Sequence, residues 1–226
     1  MRTRCRPPLA GLAAIAMLTL TLSAALYPGA TQAAADATAT QPGPQDVMVD
    51  VSTRLFAALD SNRLAIRRDP EAVYPVVDQI VFPHFDVDYA TQLILAQHWR
   101  TATPEQRQHF VAAFYRALVR TYGSALADAT ADRLKILPFR GDPNAPQASV
   151  RTEVTRSSGS VVPVEYRLHR TADGWKAFDV IIEGISYVRN YRADLDAEIS
   201  AKGLDAVIQR IETQGLAPVH GESRGR

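Results

Sequence analysis

Residues Val81 to Leu126, VFPHFDVDYATQLILAQHWRTATPEQRQHFVAAFYRALVRTYGSAL, carry the reading of the fold. They spell two consecutive amphipathic helices loaded with Phe82, Phe85, Tyr89, Trp99, Phe110, Phe114, Tyr115 and Tyr122. The first is expected to start at Asp86, whose carboxylate can accept the free N–H groups of the opening turn. Thr103-Pro104-Glu105-Gln106 signals the second start. Thr103 suits an N-cap, Pro104 the first helical position, and Gln106 stands where a capping box places Glu or Gln. Phe110, Phe114, Leu118 and Tyr122 then recur every four residues and form one apolar stripe. Gly123 offers a break. Such a stripe needs an apolar partner, and the flanking sequence has to supply it.

Upstream, Val47, Val51, Leu55 and Ala58 fall at helical spacing and predict a helix from Asp46 to Leu59. Asp69-Pro70-Glu71 opens another, with Val73, Val77, Ile80 and Val81 as its apolar face. Pro75 is expected to kink or delay it, because its ring clashes with the carbonyl four residues back. After about Lys135 the period changes from 3.6 to 2, and residues 134–136, 150–154, 162–168 and 175–182 read as strands. Gly141-Asp142-Pro143-Asn144, Ser157-Ser158-Gly159 and Asp173-Gly174 supply turns between them, and such short connections favour an antiparallel meander. Helical spacing returns with Val188, Tyr191, Leu195 and Ile199, and after Gly203 with Leu204, Val207, Ile208 and Ile211. Helices, then strands, then helices predict an α+β fold, with helices packed on one face of a curved antiparallel sheet.

The 226 residues, 46% hydrophobic and 22% charged, suffice for one good core. A formal charge of +1 without a dense basic run argues against a nucleic-acid partner. At the N-terminus, Arg2, Arg4 and Arg6 precede an uncharged run from Leu9 to Leu26 and small residues through Ala35. That is the order of a secretory signal peptide, with cleavage expected after Ala33 or Ala35. The cleaved chain would hold 22 basic residues against 24 acidic ones, a charge of −2, and would lose Cys5, the only cysteine. Disulfides, thiol chemistry and thiolate metal ligation are then excluded, and a bacterial periplasm is the compartment that fits. The expected organisation is a signal peptide over residues 1–35, a flexible lead-in over 36–45, one domain over 46–213 and a disordered tail over 214–226.

The search for chemistry is mostly negative. HExxH, GxSxG, a phosphate-binding glycine loop and a dinucleotide fingerprint are all missing from the sequence. No two of the five histidines have i,i+4 ligand spacing with a further ligand nearby, so neither a metal nor a cofactor is expected. His84 beside Asp86 is the most suggestive pair, and it reads as hydrogen bonding at a helix entry. Asp179 and Glu183 lie four apart in a strand and are expected to share a side with Trp175. A carboxylate in an apolar cone could act as a general base. The structural alternative pairs Asp179 with Arg189 or Arg192.

The run from Pro83 to Leu126 resembles the MlaC lipid carriers, the periplasmic component of the Mla lipid-transport system, also described as toluene-tolerance proteins. Gly174 to Val180, Ile182 to Ser186, Asn190-Tyr191-Arg192 and Lys202 to Asp205 follow in the same order, so the resemblance covers about Pro70 to Ile211. It implies a cone-like curved sheet of the nuclear-transport-factor type, with helices around a deep apolar pocket. It also implies a glycerophospholipid held by its acyl chains, the headgroup near solvent, and no catalytic residue. Implied partners are an inner-membrane ABC transporter complex with a ring-shaped MCE-domain subunit and an outer-membrane lipoprotein–porin complex. Lipid shuttled between them would maintain outer-membrane asymmetry. From the apolar stripes, the expected lipid-binding residues are Phe85, Tyr89, Leu93, Phe110, Phe114 and Leu118 on helices, and Val164, Tyr166, Phe178, Val180 and Ile182 on strands. Two other classes stay open: an enzyme of the ketosteroid-isomerase type, and an interaction module with a solid core.

Overall fold

The capping chemistry of the central stretch forms where its residues dictate. The Asp86 carboxylate accepts the Tyr89 N–H at 2.9 Å and opens α3 (Val87–Leu95). Thr103 and Gln106 bond reciprocally, the Gln106 N–H to the Thr103 hydroxyl at 3.2 Å and the Thr103 N–H to the Gln106 side chain at 3.0 Å. That box starts α5 (Pro104–Ala127). Gly123 does not break α5; a Cβ there would meet Val73 at 2.9 Å, so glycine lets the helix close on its neighbour. Between α3 and the short α4 (Gln97–Thr101) the chain turns at Ala96, φ 47° and ψ −109°, a left-handed conformation that costs a non-glycine residue about 1–3 kcal/mol. Ala96→Gly should therefore stabilise the fold by about 1 kcal/mol after the entropy that glycine adds to the unfolded chain. A thermal midpoint raised by about 2–4 °C checks this.

The computed structural model describes residues 41–127, 129–142 and 144–219. The basic leader, its apolar run and the expected cleavage site lie outside the described residues, which all belong to one compact unit. No helix among them is long and apolar enough to cross a membrane. The first helix, α1 (Pro44–Arg68), is longer than the sequence pattern suggested. It opens on Pro44, with the Asp46 carboxylate accepting the Gly43 N–H at 3.0 Å, and its second half still buries Leu59 and Ile66. The stretch with three prolines never settles into one helix. It runs as a 3-10 turn (Pro70–Val73), a single α-helical turn α2 (Tyr74–Val76), a π-helical turn (Val77–Val81) and a second 3-10 turn (Phe82–His84). Pro75 and Pro83 each remove a donor and force these changes of pitch.

Five strands follow, β1 (Leu134–Ile136), β2 (Gln147–Thr155), β3 (Val161–Thr171), β4 (Gly174–Ile182) and β5 (Ile185–Ser186). They form one antiparallel meander in sequence order. Between β3 and β4 the register slips: Arg167 faces Asp179 and Leu168 faces Ala177, so Phe178 is the extra residue of a bulge. Two helices close the chain, α6 (Tyr187–Lys202) and α7 (Leu204–Gln214).

The expectation of helices on a single face needs correction. The beginning of α1 lies on one face, where Val47 and Met48 pack with Val150, Leu168, Trp175 and Ala177. On the other face the start of α6 is tied to Asp179, and Tyr89 of α3 stacks on His169 at 4.5 Å. The cause is β5: its two residues pair with the end of β4 and launch α6 on the side that Asp179 faces. Helix α5 joins the two halves. Phe110 and Phe114 pack with α3, α6 and α7, while Tyr115 and Val119 pack against Leu59, Ile66 and Val76. The expected disordered tail also starts too early. Leu216 and Val219 are buried in the helical core, and Tyr191 donates to the Ala217 carbonyl at 3.3 Å, so Gly215 to Val219 is a packed strap. Two apolar side chains spaced three apart were enough to bring it back.

Candidate functional site

Register sorts the strand side chains into two faces of opposite character. One carries the cross-strand rows Val150–Tyr166–Val180, Ile136–Thr152–Val164–Ile182–Ile185 and Ala148–Leu168–Ala177. The other carries Ser149–Arg167–Asp179, Gln147–His169–Lys176 and Arg151–Glu165–Ile181. The first is apolar almost throughout; the second is polar apart from isolated positions such as Ile181.

The apolar face is not uniformly packed. Val150 and Leu168 are fully buried in a core cluster. Val180 and Ile182, in contrast, belong to none of the three packed clusters among the described residues, whereas Val164 beside them is buried. Val180 and Ile182 are only half-buried although Tyr166 and Val164 of β3 flank them. Tyr166 shows the same duality. Burial pushes its phenol above the ordinary value, yet part of its surface is uncovered. Tyr166, Val180 and Ile182 thus keep open surface side by side on the apolar face. At the β1 end of this face a cleft of about 420 Å³ runs between α1 and the first strand, with Val49, Phe56, Leu134 and Ile136 among its walls. That volume lies within the range of about 300–1,000 Å³ for small-molecule pockets.

The structure therefore divides the eleven residues that the stripes suggested. Val164, Tyr166, Val180 and Ile182 stand together on the apolar face. Phe178 does not join them, because the bulge turns it to the polar face, where it meets Tyr89 at 5.2 Å and His169 at 5.4 Å. Tyr89, Leu93 and Phe178 line a separate, smaller cleft there. Phe110 and Phe114 are sealed in the helical bundle, their rings 5.6 Å apart and Phe114 edge-on to Tyr191 at 5.3 Å. Their stripe is used for helix packing, the ordinary fate of such a pattern. Leu118 is half-buried against the same cluster. Phe85 bridges the open edge of β4 at Ala177 and touches both the bundle and the sheet core. Ile136, Val49 and Phe56 were not anticipated; nothing in their local spacing separates groove from core.

The titratable candidates have structural duties. Asp179, 1% exposed, accepts the Ser186 hydroxyl at 2.7 Å and the Val188 N–H at 3.1 Å, and stands 3.9 Å from Arg167. Its arginine is thus neither Arg189 nor Arg192, and the bulge separates it from Trp175. It faces away from Val164, Val180 and Ile182. Glu183 occupies a turn at φ 50° and pairs with Arg156 at 3.3 Å. His84 contacts Arg54 at 2.9 Å, with its pKa lowered by burial and then by that arginine. Asp86 bonds instead to His169 at 2.9 Å, a partner far away in sequence. Among the described residues no group of three His, Cys, Asp or Glu could hold a metal ion.

Residues 49–213 match the MlaC protein family over most of the chain. The chain belongs to that family. Among MlaC relatives, the toluene tolerance protein ttg2D of Pseudomonas putida is 32% identical over 163 residues, 72% of this chain and 75% of its own length. The intermembrane phospholipid transport system binding protein MlaC of Haemophilus influenzae is 22% identical over 185 residues, 79% and 85% of the two chains. In three dimensions the chain is similar to a phospholipid-binding protein from Ralstonia solanacearum, solved in complex with a phospholipid. The TM-score is 0.71 at 27% identity, covering 76% of this chain and 96% of that one. The α+β architecture with its curved antiparallel sheet is thus the architecture of this MlaC group.

Proposed function

We propose that the chain is a periplasmic phospholipid carrier that holds acyl chains against the apolar face of its sheet, with Val164, Tyr166, Val180 and Ile182 as the floor. The observation that carries this reading is the half-open state of Tyr166, Val180 and Ile182 side by side on the apolar face, in a chain similar to proteins that bind phospholipid. Each methylene taken from water contributes about 0.8 kcal/mol, so two acyl chains amount to roughly 20 kcal/mol. Release into water is then negligible, whereas exchange with a bilayer trades apolar surroundings for apolar ones and stays nearly balanced. Docking sets the direction. We assign the lipid's route to the two ends implied by the family resemblance, an inner-membrane ABC transporter complex with its MCE-domain ring and an outer-membrane lipoprotein–porin complex, in support of outer-membrane asymmetry. The carrier needs no catalytic residue.

Native mass spectrometry with lipid extraction tests the proposal on protein purified from a Gram-negative periplasm. Stoichiometric phospholipid, transferable to acceptor vesicles, is expected. A chain that carries none and transfers none rejects the carrier role.

A further inference from the structure

On the polar face of the sheet, opposite the groove, lies the second cleft, about 210 Å³ in volume, between α3, α6 and the bulge. Its charge is one-sided. Arg167, Arg189 and Arg192 border it, and Asp179 is its carboxylate. Asp179 is already satisfied by Ser186, Val188 and Arg167, so it does not neutralise the other two arginines. Arg189 and Arg192 are one helical turn apart on α6 and exposed, and neither makes an ion pair among the described residues. Asp196, one turn further along, is held below the usual carboxylate range first by hydrogen bonds from His98 at 2.8 Å and Gln97 at 3.0 Å and then by the charges of His98 and Arg192, so it offsets Arg192 only in part. Arg167 is held in place, its guanidinium 5.1 Å over the Phe178 ring. Three guanidinium groups set against the carboxylates of Asp179 and Asp196 leave this region net positive, and an incoming anion relieves that excess.

We propose that this cleft docks an acidic side chain of a protein partner, with an apolar residue of the same segment set against Leu93, Phe178 and Val188. Guanidinium groups bind carboxylates in bidentate fashion, and the apolar wall beside them fits an amphipathic peptide segment. The volume suits a side chain, falling below the range of about 300–1,000 Å³ that small-molecule pockets occupy. The position, behind the sheet from the groove, allows the chain to be gripped without disturbing its cargo. From the carrier role the inference takes only the requirement that the chain dock.

The test uses the mature chain and a fluorescein-labelled peptide with a central Leu-Glu-Leu-Glu segment, read by anisotropy. Wild type is expected to bind, and the Arg189→Glu, Arg192→Glu double variant to bind at least tenfold more weakly. A control pair on other exposed arginines, Arg100→Glu with Arg116→Glu, should change affinity less than twofold. A Gln-for-Glu peptide should not bind, and neither inorganic phosphate at millimolar concentration nor phosphatidylglycerol vesicles should displace the acidic peptide. Failure of wild type to bind, equal weakening by both arginine pairs, or displacement by phosphate or vesicles overturns the proposal. Native mass spectrometry on the same samples should show an unchanged lipid load. A load lost only in the Arg189/Arg192 variant overturns the separation of the two sites. Absence of lipid in every sample counts against the carrier role alone.

Discussion

Replacing Val180 with glutamate should take the phospholipid load of the mature chain from stoichiometric to undetectable. Val180 lies in the middle of the apolar face, between Tyr166 across the strand and Ile182 beside it, and its surface is partly open. An ionised carboxylate there keeps its hydration only while the groove holds water. Acyl chains would strip that water away with no counter-ion beside it, because Arg167, His169 and Lys176 stand on the opposite face and Arg170, four residues along β3 from Tyr166, lies over the Trp175 ring. A penalty of about 4 kcal/mol, modest for burying an unpaired charge, corresponds to roughly a thousandfold loss of affinity. Ile182→Trp is the companion variant. It adds no charge and fills the groove, so it should displace lipid while leaving circular dichroism and the melting curve close to wild type. If both variants fold and both retain a full lipid load, the acyl chains lie elsewhere.

The second large effect is on stability. Asp179→Ala should cost about 3 kcal/mol, since it leaves a buried hydroxyl and a buried N–H without their acceptor and removes the counter-charge of Arg167. For a domain of this size the thermal midpoint should fall by about 6–12 °C. Ser186→Ala, which removes one of those bonds and the cap it gives to the Arg189 N–H, should cost about 1 kcal/mol. Urea unfolding of the two variants checks the order. A loss below 1 kcal/mol for Asp179→Ala would mean that water or another group replaces the network. The same variant examines the enzyme reading, which assigns Asp179 to proton transfer rather than to anchoring α6.

Much of the fold was legible because its signals are local. Thr103 and Gln106 satisfy each other within one turn, and Asp86 caps a helix three residues ahead of its bond. The change of period near Lys135 reports strands because alternation is a property of each strand alone. The division between groove and core was not legible. Phe110 and Val180 are both apolar residues at correct spacing, and only tertiary packing closes over one and leaves the other open. The bulge at Phe178 was equally hidden. Strict alternation puts Phe178, Val180 and Ile182 on one face, and the extra residue is defined only by the partner strand. Ala96 gave no hint of its left-handed backbone, which neighbouring helices impose.

That bulge has a consequence for how variation is tolerated along β4. Before it, Trp175 and Ala177 press on the layer containing Val47 and Met48 of α1; after it, Asp179 grips α6. Neighbouring positions on one strand thus answer to different masters, and a saturation scan would beat in twos, skip once at Phe178, and resume in the opposite phase. Sites two residues apart across the skip should behave as strangers, free to change independently. Sites as far apart as Asp179 and Ser186 should change only together.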